Sequence, residues 1–153
     1  MQRLATRLVI LLITVTALAA CAAPAATPAL TGDSVRIENA WARPSPVANG
    51  NSAIYATLIN PTGQADRLVA VKSLAGMAET HESIVEDGVV RMEPRPEGFE
   101  LPPGGSVELA PGGKHIMLMG VADPLAPGDT LTATFVFEKL GEITLDVPVK
   151  EQP

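Results

Sequence analysis

The feature that most constrains the fold is punctuation. From Ser34 onward, Gly, Pro, Asn and Asp clusters interrupt the chain before any helix-length periodic stretch can build up: PSPVANGN, PTGQA, EDG, PRPEG, LPPGG, APGG, ADPLAPGD and LG. Between them lie short apolar-rich segments: SVRIENAWA, SAIYATLIN, DRLVAVKSL, ETHESIV, VVRME, SVELA, HIMLMG, TLTATFVFE and ITLDVPV. Segments of this length that are rich in β-branched residues and bounded by turn formers predict strands. Many such strands with no 3.6-residue period predict an all-β sandwich or barrel. Proline in the connections agrees, because it cannot donate to a central ladder. Trp41 and Tyr55 are expected to anchor the core, since large aromatics bury most area.

The start of the chain follows different rules. Residues 1–20 combine Arg3 and Arg7 with the apolar run LVILLITVTALAA. A charged start, a short apolar core and small residues at its end describe an export leader. The run is also short of the roughly 20 apolar residues that span a bilayer. It ends in LAAC, and this resembles the lipobox of bacterial lipoproteins, with cleavage before Cys21 and diacylglycerol on its thiol. Two acyl chains suffice for stable anchoring. The expected location is therefore extracytoplasmic, either in the periplasm or on the outer face of the cytoplasmic membrane, lipid-anchored at Cys21. An ordinary secreted protein with a chance Cys is the alternative. Residues 22–33, small and Pro-containing without periodicity, are expected to be a flexible tether. One domain is expected over 34–149, with a C-terminal tail of 150–153.

Composition excludes several functions. The chain carries 11 basic and 17 acidic residues. Without Arg3 and Arg7 the imbalance grows, which argues against a nucleic-acid partner. Cys21 is the only cysteine. An intrachain disulfide, a Cys-rich zinc site and an iron–sulfur cluster are therefore impossible. A blue-copper centre is excluded as well, because its thiolate would be the anchor. No acidic calcium loop and no nucleophile–base set stands out. The chain is expected to be a monomer and not an enzyme.

What remains is an unusual placement of soft residues. Beyond Met1 there are two histidines, His81 and His115, and four methionines, Met77, Met92, Met117 and Met119. In GGKHIMLMG, strand alternation puts His115, Met117 and Met119 on one face and Ile116 and Leu118 on the other. In THESIVEDGVVRME, Asp87-Gly88 is a strong two-residue hairpin signal. That loop sets Met92 opposite Ser83, so His81 and Met92 become diagonal neighbours on one face. A three-residue loop with a bulge would separate them. Thioether sulfur is a soft ligand that selects Cu(I), and imidazole also suits copper. Core packing competes with this reading, since Met is a common gap filler. It is also the expected role of Met119.

The same residues carry a resemblance. His81 and Met92 are separated by ten residues, and His115-Ile116-Met117 closes the pattern. The chain resembles the PCu(A)C-type periplasmic copper chaperones, whose motif is H-x10-M-x21-H-x-M. The flanks AWARPSP, SAIYATLIN, LPPGGSVELAPGGKHIMLMG, PLAPGD and TATFVFE are similar too. Two departures stand out. Met92 and His115 are separated by 22 residues, the extra one expected in the turn-rich Glu93–Gly98. Glu82 stands where many relatives carry Met. The resemblance implies a cupredoxin-like Greek-key β-sandwich holding one Cu(I) through His81, Met92, His115 and Met117. It also implies delivery of copper by ligand exchange toward an acceptor such as the CuA centre of a cytochrome c oxidase subunit. A copper-buffering or resistance lipoprotein, and a structural β-sandwich lipoprotein without metal, are the alternatives.

Overall fold

A computed structural model of the protein describes residues 34–151. The leader, Cys21, the tether and the last two residues lie outside the described residues. Ten strands follow one another, with no helix among the described residues. They are β1 (Arg36–Ala42), β2 (Gly50–Asn60), β3 (Asp66–Ser73), β4 (Met77–Glu86), β5 (Val89–Pro94), β6 (Phe99–Leu101), β7 (Gly105–Leu109), β8 (Lys114–Val121), β9 (Thr130–Phe137) and β10 (Gly141–Pro148). Nine were predicted. The unpredicted one, β6, has three residues, too few for an alternation to be read.

The strands form two antiparallel sheets. The six-stranded sheet runs β1-β2-β8-β4-β5, with β7 beside β2, and the four-stranded sheet runs β10-β9-β3-β6. Most neighbours are distant in sequence, which is Greek-key wiring. The expected all-β, cupredoxin-like sandwich is the fold observed.

The core lies between the sheets. The large one contributes Ile54, Ala56 and Leu58 from β2 and Ile116 and Leu118 from β8. The small one contributes Leu131, Ala133, Phe135 and Phe137 from β9, Leu68 and Val71 from β3, and Val147 from β10. On β9 every second residue is buried and those between are not, as a half-buried strand requires.

Two bulges reset this alternation in the large sheet, and a third lies on β3 between Leu68 and Ala70. On β8, Leu118 pairs with Ser52 but Val121 pairs with Gly50, so β8 has one extra residue against β2. Gly120, at φ 62°, sits in that bulge. It turns Val121 into the core, where unbroken alternation would have pointed it outward. On β1, Glu38 pairs with Thr57 but Trp41 pairs with Tyr55. The extra residue is accommodated by Asn39 at φ 53°, a conformation Asn tolerates better than most residues. Without that bulge Trp41 would share the inward face of Ile37. With it, Ala42 turns inward and Trp41 outward.

The expectation that Trp41 and Tyr55 anchor the main core is thereby corrected. Both are buried, but with Ala53 they form a separate apolar cluster. It lies on the outer face of the large sheet, because Tyr55 alternates with inward Ile54 and Ala56 and Trp41 pairs with it.

Candidate metal centre

The β4–β5 hairpin forms as its sequence predicts. Glu86 pairs with Val89, leaving Asp87-Gly88 as a two-residue loop. Both loop residues have positive φ, 51° and 78°, which is the type I′ geometry that Asp-Gly favours. Ser83 pairs with Met92, and His81 pairs with Pro94. His81 and Met92 are therefore diagonal neighbours on one face.

β8 runs on the other side of β4, and its register brings the two halves of the motif together. His81 pairs with His115, Glu79 with Met117, and Met77 with Met119. Directly opposed residues point to the same side of a sheet. One outward face thus carries His81, Met92, His115, Met117, Met77 and Met119. The two imidazole rings are near-stacked, with centroids 6.0 Å apart and planes at 27°. Ile116 and Leu118, the residues between, are fully buried in the core behind.

Beside the histidines is a cleft of about 180 Å³, lined by Trp41, Tyr55, Ser83, Met92, His115 and Met117 among others. The aromatic pair forms one wall. Trp41 and Tyr55 ring centroids are 4.6 Å apart, and Tyr55 is 6.4 Å from His115. Under this wall His115 is only 3% exposed, although it lies on an outward face. Met92 closes the opposite side and is 58% exposed. The site thus has a dry half and an open half.

Local hydrogen bonds set the histidine chemistry. His115 Nδ1–H donates to the Gly113 carbonyl at 2.9 Å. His81 Nδ1–H makes a longer bond of 3.4 Å to the Glu79 carbonyl. A carbonyl only accepts, so the short bond to Gly113 keeps the His115 proton on Nδ1 and leaves its Nε2 lone pair for a ligand. Burial pushes the His115 pKa below the ordinary imidazole value. Its bond to Gly113 partly opposes that shift, and nearby His81 and Arg43 reinforce it. His115 is therefore neutral at neutral pH, the form a metal needs. Tyr55 is shifted up by its own burial, with Arg43 opposing, and so stays a neutral phenol.

Among the described residues, no three His, Cys, Asp or Glu side chains gather as a metal-binding group. A metal held here would need the thioethers to complete its ligand set. Such a set is soft and uncharged, which suits a monovalent soft cation better than zinc, calcium or magnesium.

All four residues predicted as ligands therefore lie on one face. The sequence reading missed the neighbours that shape the site. Tyr55 was legible from alternation in SAIYATLIN. Trp41 was not, because the Asn39 bulge carries no strong sequence signal. Glu79 and Met77 share the His81 face by alternation along β4 and were legible from it. That they oppose Met117 and Met119 was not, because it depends on a pairing between strands far apart in the chain.

Comparison with known proteins gives one consistent picture. A family model described as "Putative lipoprotein LpqE-like" matches residues 35–149. A "Putative lipoprotein" of Leifsonia xyli subsp. xyli is 34% identical over 131 residues, 84% of this chain and 77% of that protein. The copper-bound PCuAC domain from PmoF2 superposes with a TM-score of 0.64 at 30% identity, covering 78% of this chain and 95% of that one. The apo PCuAC domain from PmoF1 gives 0.65 at 30% identity, covering 78% and 96%.

Proposed function

The chain belongs to the LpqE-like family and has the fold of PCuAC domains, and from that premise we propose that it is an extracytoplasmic copper chaperone. His81, Met92, His115 and Met117 hold one Cu(I), the cargo. The observation that carries this reading is the single face shared by both histidines and all four methionines beyond Met1. The copper-bound relative PmoF2 supports the choice of metal. The chain is organised as a leader over 1–20, a lipidated Cys21 with a tether to residue 33, and one copper-binding domain over 34–149.

Transfer proceeds by ligand exchange. His115 and Met117 sit in the dry half and anchor the ion, while exposed Met92 yields to an incoming ligand. Each step breaks one bond to copper as another forms, and the oxidation state stays at Cu(I). No nucleophile, general base or turnover is needed. The recipient we assign is the CuA centre of a cytochrome c oxidase, the role implied by the PCu(A)C resemblance. A lipid anchor at Cys21 keeps the domain near membrane-bound acceptors and raises its effective concentration. A copper buffer without a dedicated acceptor is the second reading. The exposure of Met92 favours delivery, because a ligand reachable from solvent is reachable by a partner.

The test is titration with Cu(I) under reducing conditions, read by X-ray absorption and a competing chelator. One tightly bound Cu(I) with copper–sulfur scattering is expected. Unchanged binding in the Met92→Ala, Met117→Ala double variant would remove the site. Transfer to an apo CuA domain separates delivery from buffering.

A further inference from the structure

Two methionines on the soft face have no part in the proposed site. Met77 and Met119 oppose each other directly across β4 and β8. They lie one rung beyond Glu79–Met117 and two beyond His81–His115, on the side of the ladder away from the hairpin tip. Opposed Cβ atoms in such a pair are roughly 4.5–5.5 Å apart. Each side chain has three rotatable bonds, so the two sulfurs can converge on one ion. Met117 stands on the same face, about 7 Å along β8, within reach of the same ion.

Packing does not account for this placement. A gap-filling methionine belongs in the core, yet no methionine is a member of the core cluster. Met77 is 61% exposed, where a polar residue would serve solubility better. Exposed Glu79 shares the face between the two rungs and supplies negative charge that attracts a cation without closing over it.

We propose that Met77 and Met119 form a second, weaker Cu(I) station that shares Met117 with the first, so that copper enters or leaves the histidine site along the β4–β8 ladder. The shared thioether makes this inference rest on Met117 being a ligand of the first site. Passage exchanges one copper–sulfur bond for another, with no change of oxidation state and no proton released, because thioethers do not titrate.

The experiment uses the full chain in detergent micelles, with methionine methyl groups labelled, titrated with Ag(I) as a redox-inert soft cation. The first equivalent should shift the His81 and His115 rings and the Met92 and Met117 methyls. The second should shift Met77 and Met119, and native mass spectrometry should count two ions. The Met77→Leu, Met119→Leu variant removes the sulfurs at nearly constant volume. It should retain the first ion and lose the second, with its amide spectrum otherwise preserved. Met77 and Met119 methyls unmoved beyond one equivalent, or two ions still bound by the variant, would overturn the station. If Met77 and Met119 shift while both histidine rings do not, the methionine pair binds an ion alone, and the histidine site fails together with the shared-ligand route built on it.

Discussion

The two faces of β8 obey different rules. Inward, Ile116 and Leu118 are fully buried and fill space between the sheets. Outward, His115, Met117 and Met119 face a cleft, a partner strand and solvent. The same backbone thus carries a structural and a chemical sequence, interleaved one residue at a time. Side chains on one face are constrained by volume and those on the other by ligand chemistry. Substitutions on the two faces should therefore damage different properties.

The largest expected effect is on the inner face. Leu118→Ala should destabilise the protein by about 2–5 kcal/mol, through lost burial and the cavity left behind. Chemical denaturation reads this, and the remaining folded protein should keep its copper stoichiometry. The matching change outward, Met117→Leu, should alter apo stability by less than about 1.5 kcal/mol. Its Cu(I) affinity should fall at least 10–100-fold, roughly 1.4–2.7 kcal/mol, since even partners behind a metal ligand are worth that much. If Met117→Leu unfolded the protein and left affinity intact, the division between the faces would be wrong.

Gly88→Ala probes the hairpin that brings Met92 beside His81. Gly88 has φ 78°, and an added Cβ would meet nothing within 4 Å. The cost is therefore conformational, about 1–2 kcal/mol for an L side chain in the left-handed region. Copper affinity should change much less than in Met117→Leu, because the β4–β5 register is also held by its own ladder from His81–Pro94 to Glu86–Val89 and by the Thr80–Arg95 hydrogen bonds at the far end. A large affinity loss would mean that the turn alone fixes the ligand geometry.

The smallest effect is a pH slope. The pKa of His115 is lower folded than unfolded, because burial disfavours its charged form. Below the unfolded value of about 6.5 the unfolded chain takes up the proton first. This contribution to apo stability is present above about pH 6.5 and is lost as pH falls through the folded pKa. His115→Gln should flatten that part of the stability profile. An equal slope in both proteins would show that His115 is not buried in solution.

Much of this was legible from local pattern. Asp87-Gly88 specified its turn, and the turn specified the Ser83–Met92 register. Alternation in HIMLMG separated Ile116 and Leu118 from His115 and Met117. Other features depended on distant parts of the chain. That β8 lies against β4, so that His81 meets His115, cannot be read from either segment. The three residues of β6 are too few for a pattern, and they form a strand because β3 offers them an edge.

By itself the sequence determined the β class, the hairpin and the composition of the soft residues. These rest on turn chemistry and a two-residue period, which act over a few residues. The tertiary structure decided which face each soft residue shares and what surrounds it. A bulge at Asn39 turned Trp41 from the core onto the outer face, where with Tyr55 it buries His115. A bulge shifts every later side chain by one face, and whether one forms depends on the strand alongside.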